Sequence, residues 1–510
     1  LLLSDKRTIQ SQDQAKMSTE SLKKQVEDLQ LQLNGHIEEN KSLKSQMLEL
    51  QRSADRMMAM NRGLKTKINE KISQFASRQS DTEGMVMTTN NAGKVEMRGG
   101  TVEKLVELLY NQDQLSVSEY VDTFLLTFRS YTTSKHVWDT LKSKYDLYDP
   151  VETNAQSQPI SVQPQPGRRF TRTIRIDQDE FTNQKMRLRI IVIFKRWLEH
   201  FYHDFDGELL QQFQNFISTC RHESEVMLLK RVFEVVEKKR KGEIEENATF
   251  GEPPPEPLLP PLPGAVINNQ WLLENIEPLE IARQLALMEY NLYKKIAPKE
   301  LLSLSWQKEG KEEKSPNLLN LISHFNQVNN WVIVSIVKEP DIKKRTNILK
   351  KMIAVGKELL KLNNFCGVFE VLSGLVNSAV SRLSKTWEQI GPKSQAQYEK
   401  LLHVTAPSGN SRAYRELLVP ITTACVPYIG LSLTDLVFVE EGNPDYLDTG
   451  LVNFSKCKLV ADVIKNIQRF QRKPYNLRPV PQIQDLFNAH IPLPEKESFE
   501  LSLVSEPREK

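Results

Sequence analysis

The chain has 510 residues, of which 68 are lysine or arginine and 65 are aspartate or glutamate, so its formal net charge is +3. A balance this close to zero supplies no global field for binding nucleic acid or an anionic membrane, and the sequence favours neither function. A chain of this length can form several sizeable cores, and about three domains are expected.

The cysteines and the apolar runs bear on the cellular compartment. Cysteines stand at Cys220, Cys366, Cys425 and Cys457, without CxxC or any other metal-ligand spacing, as expected of reduced thiols in a cytosolic protein. No run approaches the roughly 18 apolar residues that cross a bilayer, and the first residues turn polar too soon for a signal peptide. We therefore expect a cytoplasmic protein, and because the chain begins at Leu1 we expect a missing upstream segment.

Residues 1–76 are predicted to form a coiled coil. From Leu22 onward, apolar residues recur with alternating spacings of three and four, which is typical of a coiled-coil seam. Asn40 and Asn61 fall at a positions of this heptad, where buried amides favour an in-register parallel dimer. We therefore predict a parallel homodimer through residues 20–70. The alternative is a single amphipathic helix that packs on the globular part of the chain.

The sequence from Ser77 to Gly100 loses this periodicity and is predicted to be a flexible connection, with the linker proper at 77–96. A globular unit follows at 97–240, where TVEKLVELLYN, YVDTFLLTFRSY and KMRLRIIVIFKRWLEHFYHDF have a period near 3.6 residues. A Gln- and Pro-rich insertion, NAQSQPISVQPQPG, separates the last two and is predicted to be a loop. The helix around Trp197 carries so much apolar surface that part of it is expected to pack on the C-terminal domain.

Residues 241–274 are predicted to be a proline-rich linker. Its segment GEPPPEPLLPPLPG, residues 251–264, cannot form a helix or a central strand, because proline lacks the amide N–H. The segment is a polyproline-type spacer or, alternatively, a ligand for a polyproline-binding partner. Helical patterns then dominate residues 275–495, and residues 496–510 are predicted to be a tail.

A helical hairpin is predicted between Pro427 and Gln471. The helix YIGLSLTDLVFVEE is closed by Gly442, a turn rich in Gly and Pro follows, and a second helix begins near Asn453. One face of the second helix is apolar and is predicted to anchor the hairpin in the core. This face consists of Leu459, Val460, Val463, Ile464, Ile467 and Phe470.

Several strings of the C-terminal half resemble the catalytic domain of Ras-family guanine-nucleotide exchange factors and occur in that family's order. They are EIARQLALMEYNLYKKIAPKELL, SPNLLNLISHFNQVNNWV, LNNFCGVFEVLSGL, RLSKTWEQI, VPYIGLSLTDLVFVEEGNPDYL and NFSKCKLVADVI. Residues 97–240 likewise look like the Ras exchanger motif, through GGTVEKLVELL, FLLTFRSY and LRIIVIFKRWLEH. The resemblance implies an all-α fold, with a helical exchanger motif after the coiled coil and a large all-helical catalytic domain from which the hairpin protrudes.

The resemblance also implies a mechanism, in which the hairpin enters a Ras-family small GTPase at its switch region and Mg²⁺ site and releases GDP. In the family an apolar residue and a glutamate on the first hairpin helix do this work, and by position they are Val437 and Glu441. Thr434, one turn earlier, is a further expected contact. A methyl-bearing side chain excludes Mg²⁺ because it cannot ligate the ion. A carboxylate can replace phosphate as the partner of the P-loop lysine.

Further GTPase contacts follow from the same resemblance. They are expected at Asn317, Asn377, Tyr414, Tyr428 and Leu436. The exchanger motif is expected to brace the hairpin, and the alternative is that Leu188 and Arg189 help to bind a second GTPase, as corresponding positions do in some relatives. The sequence departs from the family pattern at Val376, Ser411 and Ser323. These are rim positions, where contacts decide specificity, and a Ras or a Rap GTPase is the expected substrate.

Other kinds of chemistry have little support in the sequence. No GxxxxGK[ST] motif is present, so the chain is not itself a P-loop nucleotidase. His200, His203 and Asp204 superficially suggest a metal site, but beside an apolar helix they are interpreted as structural. We expect no metal, no cofactor and no covalent chemistry, and membrane contact only through a lipid-anchored GTPase. The alternative function is a coiled-coil scaffold that binds a small GTPase without exchanging its nucleotide.

Overall fold

The structure, a computed structural model, describes residues 84–89, 95–111, 117–148, 171–241, 250–260 and 268–508. The predicted coiled coil and the Gln- and Pro-rich insertion lie outside these residues. Within them α-helices dominate, as the sequence predicts, and one small sheet accompanies them. None of the helices in these ranges combines the length and the apolar character needed to cross a membrane.

An N-terminal helical bundle contains the predicted helices of the exchanger motif. Its helices are α1 (Val102–Tyr110), α2 (Val117–Thr127), α3 (Ser134–Leu147), α4 (Thr171–Phe201), α5 (Gly207–Thr219) and α6 (Glu223–Arg240). Thr101 caps α1, because its hydroxyl accepts a hydrogen bond from the Lys104 amide at 3.2 Å. The apolar face predicted for α2 is confirmed as core. Its members Val121, Phe124 and Leu125 are buried together with Phe128.

Trp197 lies at the centre of this bundle. Its ring packs edge-on against Phe128, with the ring centroids 5.6 Å apart, and its Nε1 donates to the Asp204 carboxylate at 2.6 Å. The Arg129 Nε donates to the same carboxylate at 2.7 Å. Burial lowers the pKa of His203 to about 4. Asp204 therefore organises the bundle core, which agrees with the structural interpretation of HFYHDF.

The C-terminal domain consists of further helices around a second core, in which the Trp331 and Phe487 rings meet edge-on at 4.9 Å. These helices are α7 (Asn269–Asn275), α8 (Pro278–Tyr293), α9 (Lys311–Lys314), α10 (Pro316–Val337), α11 (Ile342–Lys361), α12 (Phe365–Val376), α13 (Ser378–Ser381), α14 (Ser384–Glu388), α15 (Gly391–Thr405), α16 (Ser408–Leu418), α17 (Ile429–Gly442), α18 (Phe454–Gln471), α19 (Pro481–Asn488) and α20 (Glu495–Ser505). A 3₁₀ segment, Pro298–Gln307, joins α8 to α9.

The segment predicted as a C-terminal tail is instead part of this domain. α20 occupies most of it, and the buried Glu506 that follows lies 3.3 Å from the guanidinium of Arg345, which is itself buried. The Arg382 guanidinium donates to the Glu506 carbonyl at 2.8 Å. A buried arginine needs a paired acid, and this acid comes from the end of the chain. Periodicity could not reveal such a long-range pair.

A small antiparallel sheet corrects the prediction of a flexible connection up to Gly100. Its strands are β1 (Met85–Thr89), β2 (Val95–Gly100) and β3 (Val452–Asn453), in that order. In its register, Met85 pairs with Gly100, while Gly99 pairs with Asn453. The strands are short and β3 lies far from the other two in the sequence, so the sequence carries little period-two signal for them.

The described part of the proline-rich segment, residues 250–260, forms neither helix nor strand, as predicted, and lies against the C-terminal domain. The Leu258 amide donates to the Glu280 carboxylate at 2.9 Å, and Arg478 pairs with Glu256 at 2.7 Å. The Asn476 side chain donates to the Glu252 carbonyl at 2.8 Å. These contacts favour a docked spacer over a free ligand, although some prolines of the segment stay exposed.

Candidate functional site

The predicted helical hairpin is present and consists of α17, α18 and the turn between them. Asn453 begins α18, because its side-chain oxygen accepts a hydrogen bond from the Lys456 amide at 3.2 Å. The turn is closed by the Asn453 amide, which donates to the Asp445 carbonyl at 2.9 Å. Gly450 has a φ of +78°, a left-handed conformation that glycine adopts without strain. Leu459 is exposed, which corrects its assignment to the apolar anchor of α18.

The base of α17 is held by aromatic side chains. The Tyr428 amide donates to the buried Tyr414 hydroxyl at 2.9 Å. The Tyr428 ring stacks on Phe369 with a centroid distance of 4.0 Å and an interplanar angle of 10°. Because both partners belong to other helices of the domain, the first helix of the hairpin starts from a fixed point.

Two sets of ion pairs hold the flanks of α17. On one flank the Arg415 guanidinium donates to both oxygens of Asp435, at 2.9 and 2.8 Å, a bidentate geometry that fixes orientation. On the other flank the buried Lys456 ammonium pairs with Glu440 and with Asp445, the latter at 2.6 Å. Burial alone would lower the pKa of Lys456, but its hydrogen bonds to both carboxylates outweigh burial and raise it. Lys456 therefore joins α17, the turn and α18.

These contacts leave one face of α17 directed outward. Successive residues of a helix are rotated by about 100°. Thr434, Val437, Phe438 and Glu441 therefore share one face, opposite Leu436. Leu436 is 0% exposed, whereas Thr434, Phe438 and Glu441 are exposed and Val437 is half-buried. We call these four residues the outer face of α17.

The N-terminal bundle contacts the hairpin through β2 and α2. The rings of Tyr120 on α2 and Phe454 on α18 pack at 4.9 Å, and Lys458 on α18 pairs with Glu96 on β2 at 3.0 Å. The apolar surface of the Trp197 helix, α4, predicts that this helix packs on the C-terminal domain. The main contacts come instead from the neighbouring α2 and from a strand that the sequence did not reveal.

Gly99 is the closest point of approach in this contact. A Cβ atom at this position would lie 2.6 Å from Leu447 Cδ1 and 2.7 Å from the Val452 carbonyl oxygen. Since Leu447 and Val452 belong to the turn of the hairpin, glycine is what allows β2 to reach it.

Family models match the two helical regions that surround this site. The model of the RasGEF domain matches residues 280–458, which include all of α17, and that of the RasGEF N-terminal motif matches residues 96–216. The chain belongs to the RasGEF family. The RasGEF match thus covers the first hairpin helix, and the N-terminal match covers the strand and helix that contact α18.

Curated proteins similar to this RasGEF chain are considerably longer. Ras guanine nucleotide exchange factor P of Dictyostelium discoideum is 44% identical over 86% of this chain and 28% of its own length. Ras guanine nucleotide exchange factor J of the same organism is 32% identical over 84% of this chain and 51% of its own length. Protein son of sevenless of Drosophila melanogaster is 29% identical over 82% of this chain and 27% of its own length. The chain thus spans about a quarter to a half of these relatives.

The structure places the predicted GTPase contacts in two environments. Leu436 and Tyr414 are buried in the RasGEF domain, where they can hold α17 but cannot touch a partner without rearrangement. Asn317 is partly buried and donates to the Glu300 carboxylate at 2.8 Å. The side-chain oxygen of Asn377 accepts a hydrogen bond from the Ala379 amide at 3.0 Å and so caps α13. Tyr428 is partly exposed at the base of α17.

Leu188 and Arg189, predicted for a second GTPase, lie on α4 in the N-terminal bundle. They line an open groove of about 590 Å³, together with Val192 and Arg196. Leu188 is exposed, and the Arg189 guanidinium donates to the Tyr110 carbonyl at 3.0 Å. The structure therefore brings both residues to one surface.

A buried group of acids was not predicted. One ligand atom each of Glu289, Cys366 and Glu370 lies within 4.8 Å of the others, and all three residues are buried. Burial raises the pKa of Glu289 to about 8, and burial together with the charge of Glu289 raises that of Glu370. Two acids that resist ionisation are poor metal ligands, because a metal binds the carboxylate form. Both acids lie in strings that carry the family resemblance, but nothing in those strings marks them as buried neighbours.

Proposed function

We propose that this chain is a guanine-nucleotide exchange factor, which promotes GDP release and GTP loading on a Ras-family small GTPase of the Ras or Rap subclass. Membership of the RasGEF family and the names of the relatives support this activity. The observation that carries the proposal is the outer face of α17, which presents a threonine, two apolar side chains and a carboxylate on a helix held on both flanks.

In the proposed mechanism the hairpin enters the GTPase at its switch region. Residues of the outer face then occupy the Mg²⁺ site and the position of the departing phosphate. Val437 would occupy the Mg²⁺ site, where its methyl groups cannot ligate the ion. Glu441 would accept a hydrogen bond from the P-loop lysine and replace the departing phosphate. Thr434, one turn before Val437, would add a hydrogen bond at the rim. The reaction makes and breaks no covalent bond.

The rest of the domain gives the hairpin its rigidity. An inserted hairpin binds tightly only if little of the binding free energy is used to order the hairpin itself. The Asp435 and Glu440 ion pairs fix the rotation of α17, and Tyr428 fixes its base. The contact of β2 with the turn would brace the opposite end of the hairpin, which favours the bracing role of the N-terminal motif.

The alternative is a scaffold that binds a GTPase without exchanging its nucleotide. In a scaffold, the outer face of α17 would have to fit the surface of the GTPase but would not need an accessible carboxylate beside the P-loop. The exposed Glu441 favours exchange, because its neighbour Glu440 is already paired with Lys456 while Glu441 remains accessible to solvent.

Replacement of Glu441 tests the proposal. Glu441→Ala should slow GDP release about ten- to a hundredfold, because one charge-assisted hydrogen bond is lost. Release of fluorescent GDP would be followed for Ras, Rap, Ral and Rho-type GTPases. Glu388→Ala, which removes an exposed carboxylate at the end of α14, is the matched control and should exchange normally. Binding to these GTPases without accelerated release by the unmodified chain would establish the scaffold instead.

Domain organisation and assembly complete the proposal. We place the coiled coil at 1–76, the exchanger motif at 97–240 and the catalytic domain at 275–495 with α20 packed on it, and we propose parallel dimerisation through residues 20–70. The exchange reaction would take place in the cytoplasm at the inner membrane surface, where lipid-anchored GTPases reside. A polyproline-binding partner for 251–264 is the less favoured role of that segment, because its described part docks on the catalytic domain.

A further inference from the structure

Phe438 is the most exposed apolar residue of α17. Its relative exposure is 68%, whereas Ile429 and Leu436 of the same helix are buried. A phenylalanine ring that stays in water contributes no burial free energy, so this side chain does not stabilise the free protein. The exposure of Phe438 is therefore better explained by contact with a bound partner than by a role in stabilising the domain.

The pattern of α17 supports this interpretation. Its sequence IGLSLTDLVFVEEG is apolar on several sides, and a helix with this pattern is normally buried all round. In the described structure the side of Leu436 packs in the core, and the Asp435 and Glu440 ion pairs occupy the flanks. Val437 and Val439 pack partly against the core, so among the described residues of α17 Phe438 is the large apolar side chain that stays exposed.

Phe438 is a member of the outer face and lies among the residues proposed to act on the nucleotide site. On a helix, residues three or four positions apart are neighbours. Phe438 therefore lies beside Thr434, four residues earlier, and beside Glu441, three residues later. Any protein that engages Glu441 must cover the Phe438 ring as well, and a covered aromatic ring at the centre of an interface is a typical hot spot.

We propose that Phe438 is an aromatic anchor that selects the GTPase, by inserting into an apolar pocket beside the Mg²⁺ site of the partner. This inference rests on the proposed function, since it assigns the occupant of the surface next to Glu441. It adds a specificity determinant distinct from the residues that displace Mg²⁺ and phosphate. A GTPase with a charged or filled surface at this point is a poor substrate, because the ring would be desolvated without contacts.

The test compares Phe438→Ala with the conservative Phe438→Leu in the full chain. GDP release is measured against GTPase concentration for Ras- and Rap-type proteins loaded with fluorescent GDP. Phe438→Ala should raise KM at least about tenfold with little change in kcat, as expected for an interaction already made in the ground state. Phe438→Leu should recover most of the loss. Phe250→Ala, which truncates another exposed aromatic ring outside the hairpin, should leave both constants unchanged.

Binding to nucleotide-free GTPase is measured in parallel, so that the anchor can be judged even for a chain that binds without exchanging. Thermal unfolding should be the same for all variants, because Phe438 is exposed. The anchor is overturned if Phe438→Ala changes neither KM nor binding. If Glu441→Ala still slows release in the same experiment, the proposed function remains intact. If the unmodified chain accelerates release from no GTPase, the proposed function fails, and the anchor is then rejected if Phe438→Ala does not weaken binding.

Discussion

The buried acids Glu289 and Glu370 show how single residues can make the stability of this domain depend on pH. Both side chains are fully buried, one on α8 and one on α12, and the Cys366 thiol lies 3.6 Å from the Glu370 carboxylate. Burial raises the pKa of both acids, to about 8 for Glu289. The native domain thus holds protons that the unfolded chain, with ordinary glutamate pKa values, releases near pH 4.5.

The sign of the resulting pH dependence follows from linkage. Between about pH 5 and 8 the native state binds more protons than the unfolded state, so the free energy of unfolding falls as pH rises. The slope is at most about 1.4 kcal/mol per pH unit for each excess proton. Glu289→Gln, which keeps the shape of the side chain and cannot ionise, should flatten this slope. Urea unfolding at several pH values measures it. Equal slopes for the variant and the unmodified chain would refute the claim that Glu289 is protonated in the native domain.

At this scale the sequence predicted some residues of the site and not others. The string EEGNP located Glu441 at the end of the helix, and it is exposed there. The same helix is apolar on several sides, so periodicity could not tell the buried Leu436 from the exposed Phe438. The pairing of Glu440 with Lys456 depends on the packing of α17 against α18, which a linear sequence does not display.

At the scale of elements, the helices of the hairpin were predictable and the sheet was not. The turn between α17 and α18 carries Gly and Pro at positions where a chain reverses, and Asn453 is a typical helix cap. The contact between β2 and β3 joins residues far apart in the sequence and involves few of them. Such a contact leaves no periodic pattern, although it brings the N-terminal motif to the turn of the hairpin.

Gly99→Ala tests the importance of this contact. The added Cβ would meet Leu447 and the Val452 carbonyl at under 3 Å, so β2 and the turn must separate. Overpacking of this kind costs about 1–3 kcal/mol, and we expect a lower midpoint of thermal unfolding together with slower GDP release. Gly251→Ala is the matched control, because no atom lies within 4 Å of its added Cβ. If Gly99→Ala exchanges as fast as this control, β2 does not brace the hairpin.

At the scale of the whole molecule, the N-terminal motif and the RasGEF domain pack together rather than forming independent modules. The apolar surface of the Trp197 helix predicts this association, but places it on that helix. Trp197 on that helix instead packs against Phe128 and donates to Asp204 in the core of its own bundle. The neighbouring α2 makes the contact with α18. The parallel dimer through residues 20–70 stays a prediction, because the coiled coil lies outside the described residues.

The most direct test of the account asks whether Glu441 meets the P-loop lysine of the GTPase. A zero-length carbodiimide cross-linker joins a carboxylate to an amine only where the two are in contact. In the nucleotide-free complex of the full chain with a Ras or Rap GTPase, mass spectrometry should find Glu441 joined to that lysine, and excess GDP should abolish the product. The insertion of this hairpin would be contradicted if the chain accelerates GDP release but the P-loop lysine is cross-linked only to acids outside α17 and not to Glu441.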